Sequence, residues 1–181
     1  LPIQDTICYY AKNEENISRL VSSFAFNPIY LALRLIEGYE PTEPPFERDM
    51  FSVSRFKLNQ LRIIFDKKVD KLALRSNPEF CNFVKNNEYW LPSYCYWCSI
   101  RDDNIKKNEK NGTTEIPIFP PIETCQLPDF LNGNDQNDKR YIDCFFHCWV
   151  QYQCHIQFLD VTRYAISNRV VLSCTMTIGQ N

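Results

Sequence analysis

Val150-Gln151-Tyr152-Gln153-Cys154-His155-Ile156-Gln157-Phe158 is the stretch on which the reading of the second half of the chain turns. Apolar residues at 150, 152, 154, 156 and 158 alternate with Gln151, Gln153, His155 and Gln157. A period of two is what a half-buried β-strand presents, because successive side chains point to opposite faces. Val170, Leu172, Cys174, Met176 and Ile178 repeat the pattern against Arg169, Val171, Ser173, Thr175 and Thr177. Ser167-Asn168 offers a turn before the second run, and strands so close in sequence pair most simply antiparallel. The spacing therefore predicts a sheet over about residues 141–179.

Toward the N-terminus the period changes. Ile17, Leu20, Val21 and Phe24 fall at i, i+3, i+4 and i+7, on one helical face. Asn27-Pro28 ends that helix and starts another, with Asn27 as N-cap and Pro28 at the first helical position. Ile29, Ala32, Leu33 and Ile36 repeat the spacing, and Gly38 follows as C-cap. Beyond a proline-rich connector at 39–49, a third helix is predicted from about Val53 to Leu74. Its stripe is Leu58, Leu61, Phe65, Val69 and Leu72, with Ile64 alongside. Asn77-Pro78 repeats the stop-and-start device before a short fourth helix carrying Phe80, Cys81, Phe83 and Val84.

Residues 91–140 hold Pro92, Pro117, Pro120, Pro121 and Pro128 and little periodicity, so they read as an irregular loop region. The expected fold class is α+β. A single domain, 1–181, packs N-terminal helices (about 14–90) on a C-terminal antiparallel sheet, with disulfides stapling the loops. In architecture alone this is similar to cup-shaped α+β folds such as cystatin-like or NTF2-like domains.

The disulfide expectation rests on nine cysteines: Cys8, Cys81, Cys95, Cys98, Cys125, Cys144, Cys148, Cys154 and Cys174. Cytosolic thiols stay reduced, whereas in an oxidising compartment each bridge contributes about 2–4 kcal/mol. Sequons at Asn16-Ile17-Ser18 and Asn111-Gly112-Thr113 point the same way. The first residue, Leu1, fits a mature chain whose targeting segment has been removed, or an excised portion. Together these predict a glycoprotein that is secreted or displayed at the cell surface. Four bridges leave one cysteine for a buried thiol or for a bond to another chain. No apolar run approaches the roughly 18 residues that a membrane span requires. A net charge of −2 gives no field for nucleic acid.

No residue constellation announces a reaction. Cys95-Tyr96-Trp97-Cys98 has redox-dithiol spacing but lacks a strand–helix setting, so a structural bridge is expected. Cys144, His147, Cys148, Cys154 and His155 imitate a zinc site, yet they read first as disulfide partners. No metal and no cofactor are expected. Binding is expected from the amides of Gln151, Gln153 and Gln157 with His155 on an open sheet face. A basic helix with Arg62, Lys67, Lys68 and Lys71 would meet an acidic partner. The function predicted is a non-enzymatic module recognising an extracellular protein. The alternatives are a carrier of a small apolar ligand between helices and sheet, and a secreted hydrolase or ribonuclease using His147 or His155.

Overall fold

The alternating stretch at 150–158 is helical. In the computed structural model, which describes residues 4–5, 22–44, 49–111, 125–132 and 138–173, it lies inside a 29-residue helix. Helices hold 67% of the described residues, and the only extended pairing among them is an isolated antiparallel bridge between Gln4 and Phe26. The predicted α+β sheet is thereby overturned. The far half of the second predicted strand, with Cys174, Met176 and Ile178, lies outside the described residues, as do Ile17, Leu20 and Val21.

Among the described residues five α-helices follow one another: α1 (Met50–Lys67), α2 (Lys71–Ser76), α3 (Pro78–Asn86), α4 (Leu91–Asn111) and α5 (Lys139–Ser167). Caps set most of the boundaries. Asp49 accepts the Ser52 N–H at 2.9 Å and starts α1. The predicted third helix does not reach Leu74. It ends at Lys67, and Asp70 starts α2 by accepting the N–H groups of Leu72 and Ala73 at 2.9 and 3.0 Å. A carboxylate acceptor at the N-cap outweighs the continuing apolar stripe. Leu72, assigned to that stripe, is 63% exposed. Asn77-Pro78 starts α3, which buries Phe80, Phe83 and Val84.

The predicted loop region contains α4, because Pro92 occupies its first turn, where a missing N–H costs nothing. The predicted second helix is reduced to two 3₁₀ turns, Pro28–Tyr30 and Leu33–Leu35. Asn27 does cap the first of them, and Gly38 does adopt a positive φ of 83°.

The chain divides into two compact units, Leu1–Lys68 with Val150–Asn181, and Val69–Trp149. In the first, Leu61, Ile64 and Phe65 of α1 and Ala25, Leu31 and Leu33 of the N-terminal segment are buried. In the second, Phe80, Leu91, Phe130 and Phe145 are fully enclosed, each contributing about 1.5–3 kcal/mol of burial. Every residue of α5 from Asp143 to Tyr152 is buried. That enclosed stretch has no single apolar stripe, and the period-two pattern, which runs on over half-buried Gln153, His155, Ile156, Gln157 and Phe158, could pass for a strand.

The disulfide staples are overturned as well. No disulfide holds Cys81, Cys95, Cys98, Cys125, Cys144, Cys148 or Cys154, and five of them are buried; Cys8 and Cys174 lie outside the described residues. Burial pushes the Cys95 thiol well up and Cys144 to about 11, so both remain protonated. They fill the core as small apolar side chains.

Candidate functional site

Beyond the backbone bonds of its two 3₁₀ turns, the segment from Phe26 to Leu35 is held by side chains. Asn27 accepts the Ile29 N–H at 3.0 Å. Lys57 of α1 donates to the carbonyls of Ile29 and Leu31, the latter at 2.8 Å, and burial lowers its pKa. Two glutamines of α5 complete the frame. Gln151 accepts the Phe26 N–H and donates to the Phe26 carbonyl, both at 2.9 Å. Gln157 accepts the Ala32 N–H at 2.9 Å and donates to its carbonyl at 3.1 Å. Each amide thus acts as a strand neighbour would. The two glutamines are six residues apart, about 9 Å along a helix, and so are the residues they hold.

Between this segment and the second half of α5 lies a groove of about 400 Å³. Phe26 and Phe158 form its middle, with ring centroids 5.1 Å apart. Tyr30 and Tyr164 stand at its walls, 45% and 73% exposed, beside exposed Leu35 and Val161. Polar groups are few: Gln157 is committed to Ala32, and Asp160 pairs with Arg163 at 3.1 Å. Exposed aromatic faces with sparse polar contacts bind a ligand by its C–H surface rather than transfer its protons.

The second unit concentrates its charge elsewhere. Buried His147 meets Asp102 through Nε2 at 2.9 Å, and Arg101, stacked over Trp97, meets the same carboxylate at 2.8 Å. Burial raises the Asp102 pKa, but Arg101 and His147 outweigh it and hold the carboxyl well below the usual range. Burial lowers His147 against the pull of Asp102. Lys139 bridges Asp103 and Asp143, and Arg140 joins Asp103 to Ser99. These carboxylates are neutralised by cations, an arrangement that fixes helices and leaves no acid poised to donate.

The residues expected to bind are scattered. Gln151 is 1% exposed and turned onto its own chain. Gln153 and His155 are half-buried on α5, where burial lowers the His155 pKa. Arg62 pairs with Asp66 at 2.9 Å, Lys68 pairs with Glu40 at 3.2 Å, Lys67 ends α1, and Lys71 begins α2 in the other unit. Asn111 is exposed at the end of α4, and Asn16 lies outside the described residues. No group of three His, Cys, Asp or Glu side chains among the described residues is arranged to hold a metal, and no described helix is long and apolar enough to cross a membrane. The groove residues Phe26, Tyr30, Phe158 and Tyr164 were not singled out from sequence. The one signal near them was Asn27-Pro28, which marks the turn that presents Tyr30.

The glycoside hydrolase 77 family model, described as 4-alpha-glucanotransferase, matches residues 2–181. The chain belongs to this family. It is 23% identical over 193 residues to the 4-alpha-glucanotransferase DPE2 of Oryza sativa subsp. japonica, covering 99% of the chain and 19% of that protein. The 4-alpha-glucanotransferase of Chlamydia muridarum is 24% identical over 178 residues, 91% of the chain and 31% of the relative. That of Chlamydia pneumoniae is 25% identical over 190 residues, 98% and 33%. The chain thus spans between about a fifth and a third of the curated relatives it matches. No solved structure matches it.

Membership in the 4-alpha-glucanotransferase family overturns the non-enzymatic module and, with it, the extracellular protein partner. The apolar-ligand carrier and the histidine-based hydrolase or ribonuclease give way on the same finding. His147 is in any case locked onto Asp102.

Proposed function

We propose that the protein carrying this chain transfers segments of α-glucan, and that the Phe26–Phe158 groove holds the glucan during transfer. The observation that carries this reading is a groove with two exposed tyrosine faces in a chain matched almost end to end by a 4-alpha-glucanotransferase family model. A glucopyranose ring is amphipathic: its C–H faces stack on aromatic rings, while its hydroxyls stay at the rim. Tyr30, Tyr164 and the Phe26–Phe158 pair offer such faces, and the glutamine clamps hold one wall at a fixed distance from α5.

Transfer between sugars commonly uses two carboxylates, one protonating the leaving oxygen and one acting as nucleophile or base. In the second unit, the carboxylates of Asp102, Asp103 and Asp143 are bound to cations. In the first, Asp49 caps a helix, and Asp66 and Asp160 pair with arginines. We assign the groove residues the part of binding and orienting the glucan.

The test is a disproportionation assay on the full natural protein with maltotriose, following glucose release and the growth of longer chains. Replacing Tyr30 and Tyr164 together by alanine should raise KM about tenfold or more with the fold intact. Unchanged kinetics in that variant, or no transfer by the parent protein, would overturn the reading.

A further inference from the structure

The two glutamines of α5 hold the groove wall at Phe26 and at Ala32. Between those anchors the chain turns through Pro28–Tyr30, and it is there that Tyr30 joins the lining. The turn's own backbone bonds are Tyr30 N–H to the Asn27 carbonyl at 3.2 Å and Leu31 N–H to the Pro28 carbonyl at 3.1 Å. A single 3₁₀ turn with bonds of that length is a weak support. Lys57 supplies the rest. It lies on the buried face of α1, with Ser54 and Leu61 before and after it on the same face, both buried. Its ammonium donates to the carbonyls of Ile29 and Leu31, the residues on either side of Tyr30.

We propose that Lys57 is a positioning residue for glucan transfer, holding Tyr30 by its two neighbours so that the ring is in place before the sugar arrives. The inference deepens the glucan reading of the groove and rests on it. Where the Tyr30 ring points is set first by its Cα–Cβ bond, and so by the backbone around it. With both flanking carbonyls fixed to one nitrogen, the peptides before Tyr30 and after Leu31 cannot turn independently. Charge-assisted bonds of this kind are roughly twice as strong as neutral ones. Among the described residues no carboxylate pairs with Lys57, and burial lowers its pKa. A half-buried ammonium without a counter-ion loses hydration, and what it gains in exchange is this pair of carbonyls. A wall ordered in advance spares the ligand the cost of ordering it.

A kinetic double-mutant cycle on the full natural protein, with maltotriose as substrate, tests the assignment. Lys57→Met keeps the length of the stem and removes the donors. It should raise KM about fivefold with kcat within about twofold of the parent, the pattern of lost binding rather than lost chemistry. In a Tyr30→Ala background the same replacement should leave KM unmoved, because no ring is left to position. Lys57→Gln, whose shorter amide can still donate, enters the same cycle should Lys57→Met fail to fold. An equal rise in KM with and without Tyr30 would show that Lys57 acts through general stability and would overturn the proposal. If the lysine variants keep the parent KM while Tyr30→Ala raises it, the positioning role is refuted and the groove stands. If neither position moves KM, the groove reading falls and this assignment falls with it.

Discussion

The side-chain amide of Gln151 and the backbone of Phe26 close a ring of two hydrogen bonds, 125 residues apart in sequence. The pairing gives a buried polar side chain full partners and anchors one wall of the Phe26–Phe158 groove. Gln157 repeats it on Ala32 six residues further along α5. Replacing Gln151 by leucine leaves an N–H and a C=O without their partners, at about 1–3 kcal/mol each. We expect a loss of about 2–4 kcal/mol in urea unfolding, and a smaller loss for Gln157→Leu at its half-buried position. Gln151→Glu puts a carboxylate oxygen against the Phe26 carbonyl, so its stability should fall further as pH rises through the carboxyl range.

Tyr164 separates binding from folding. At 73% exposure its removal should change stability by less than about 0.5 kcal/mol. One lost stacking face is worth about 1 kcal/mol, so affinity for a maltooligosaccharide should drop about five- to tenfold. Thermal unfolding and a binding isotherm on the same Tyr164→Ala preparation check both halves.

Acid should destabilise the second unit in two stages. His147 has a folded pKa below its ordinary 6.5, so the unfolded chain takes up a proton first and stability falls as pH drops below about 6.5. Asp102 has a folded pKa below its ordinary 3.8, so its contribution is complete above that value and is lost below it. His147→Gln removes the first stage, and the slope of unfolding free energy between pH 5 and 6.5 should flatten. An unchanged slope would show that His147 does not titrate in that window.

At the end of α5, Arg169 sits at φ 58°, a left-handed conformation that costs a side-chain-bearing residue about 1 kcal/mol. Val170 N–H closes the turn on the Ala165 carbonyl at 2.8 Å. Arg169→Gly relieves that strain, offset in part by the freer unfolded chain. A gain of about 0.5 kcal/mol in unfolding free energy is expected.

The sequence was most legible where a single residue acts locally. Asn77-Pro78 marks a real α-helix start, Asn27-Pro28 starts only a three-residue 3₁₀ turn, and Gly38 takes its positive φ. It misled where burial was long-range. Reading 150–158 as a strand requires Gln151 to face water; Gln151 is buried because a backbone segment 125 residues away satisfies its amide. Nothing in the local pattern announces that partner. The cysteine count misled for a related reason, since a thiol packed as a small apolar group and a thiol bound for a bridge look alike in sequence. The groove was invisible from sequence because Tyr30 and Tyr164 come together only once α5 exists as a helix.

The most direct measurement is a crystal structure of the full natural protein soaked with maltoheptaose. The account expects glucose rings stacked on Tyr30 and Tyr164, with the Gln151–Phe26 and Gln157–Ala32 pairs intact beneath them. A glucan bound elsewhere in the crystal, with this groove empty and accessible, would contradict it.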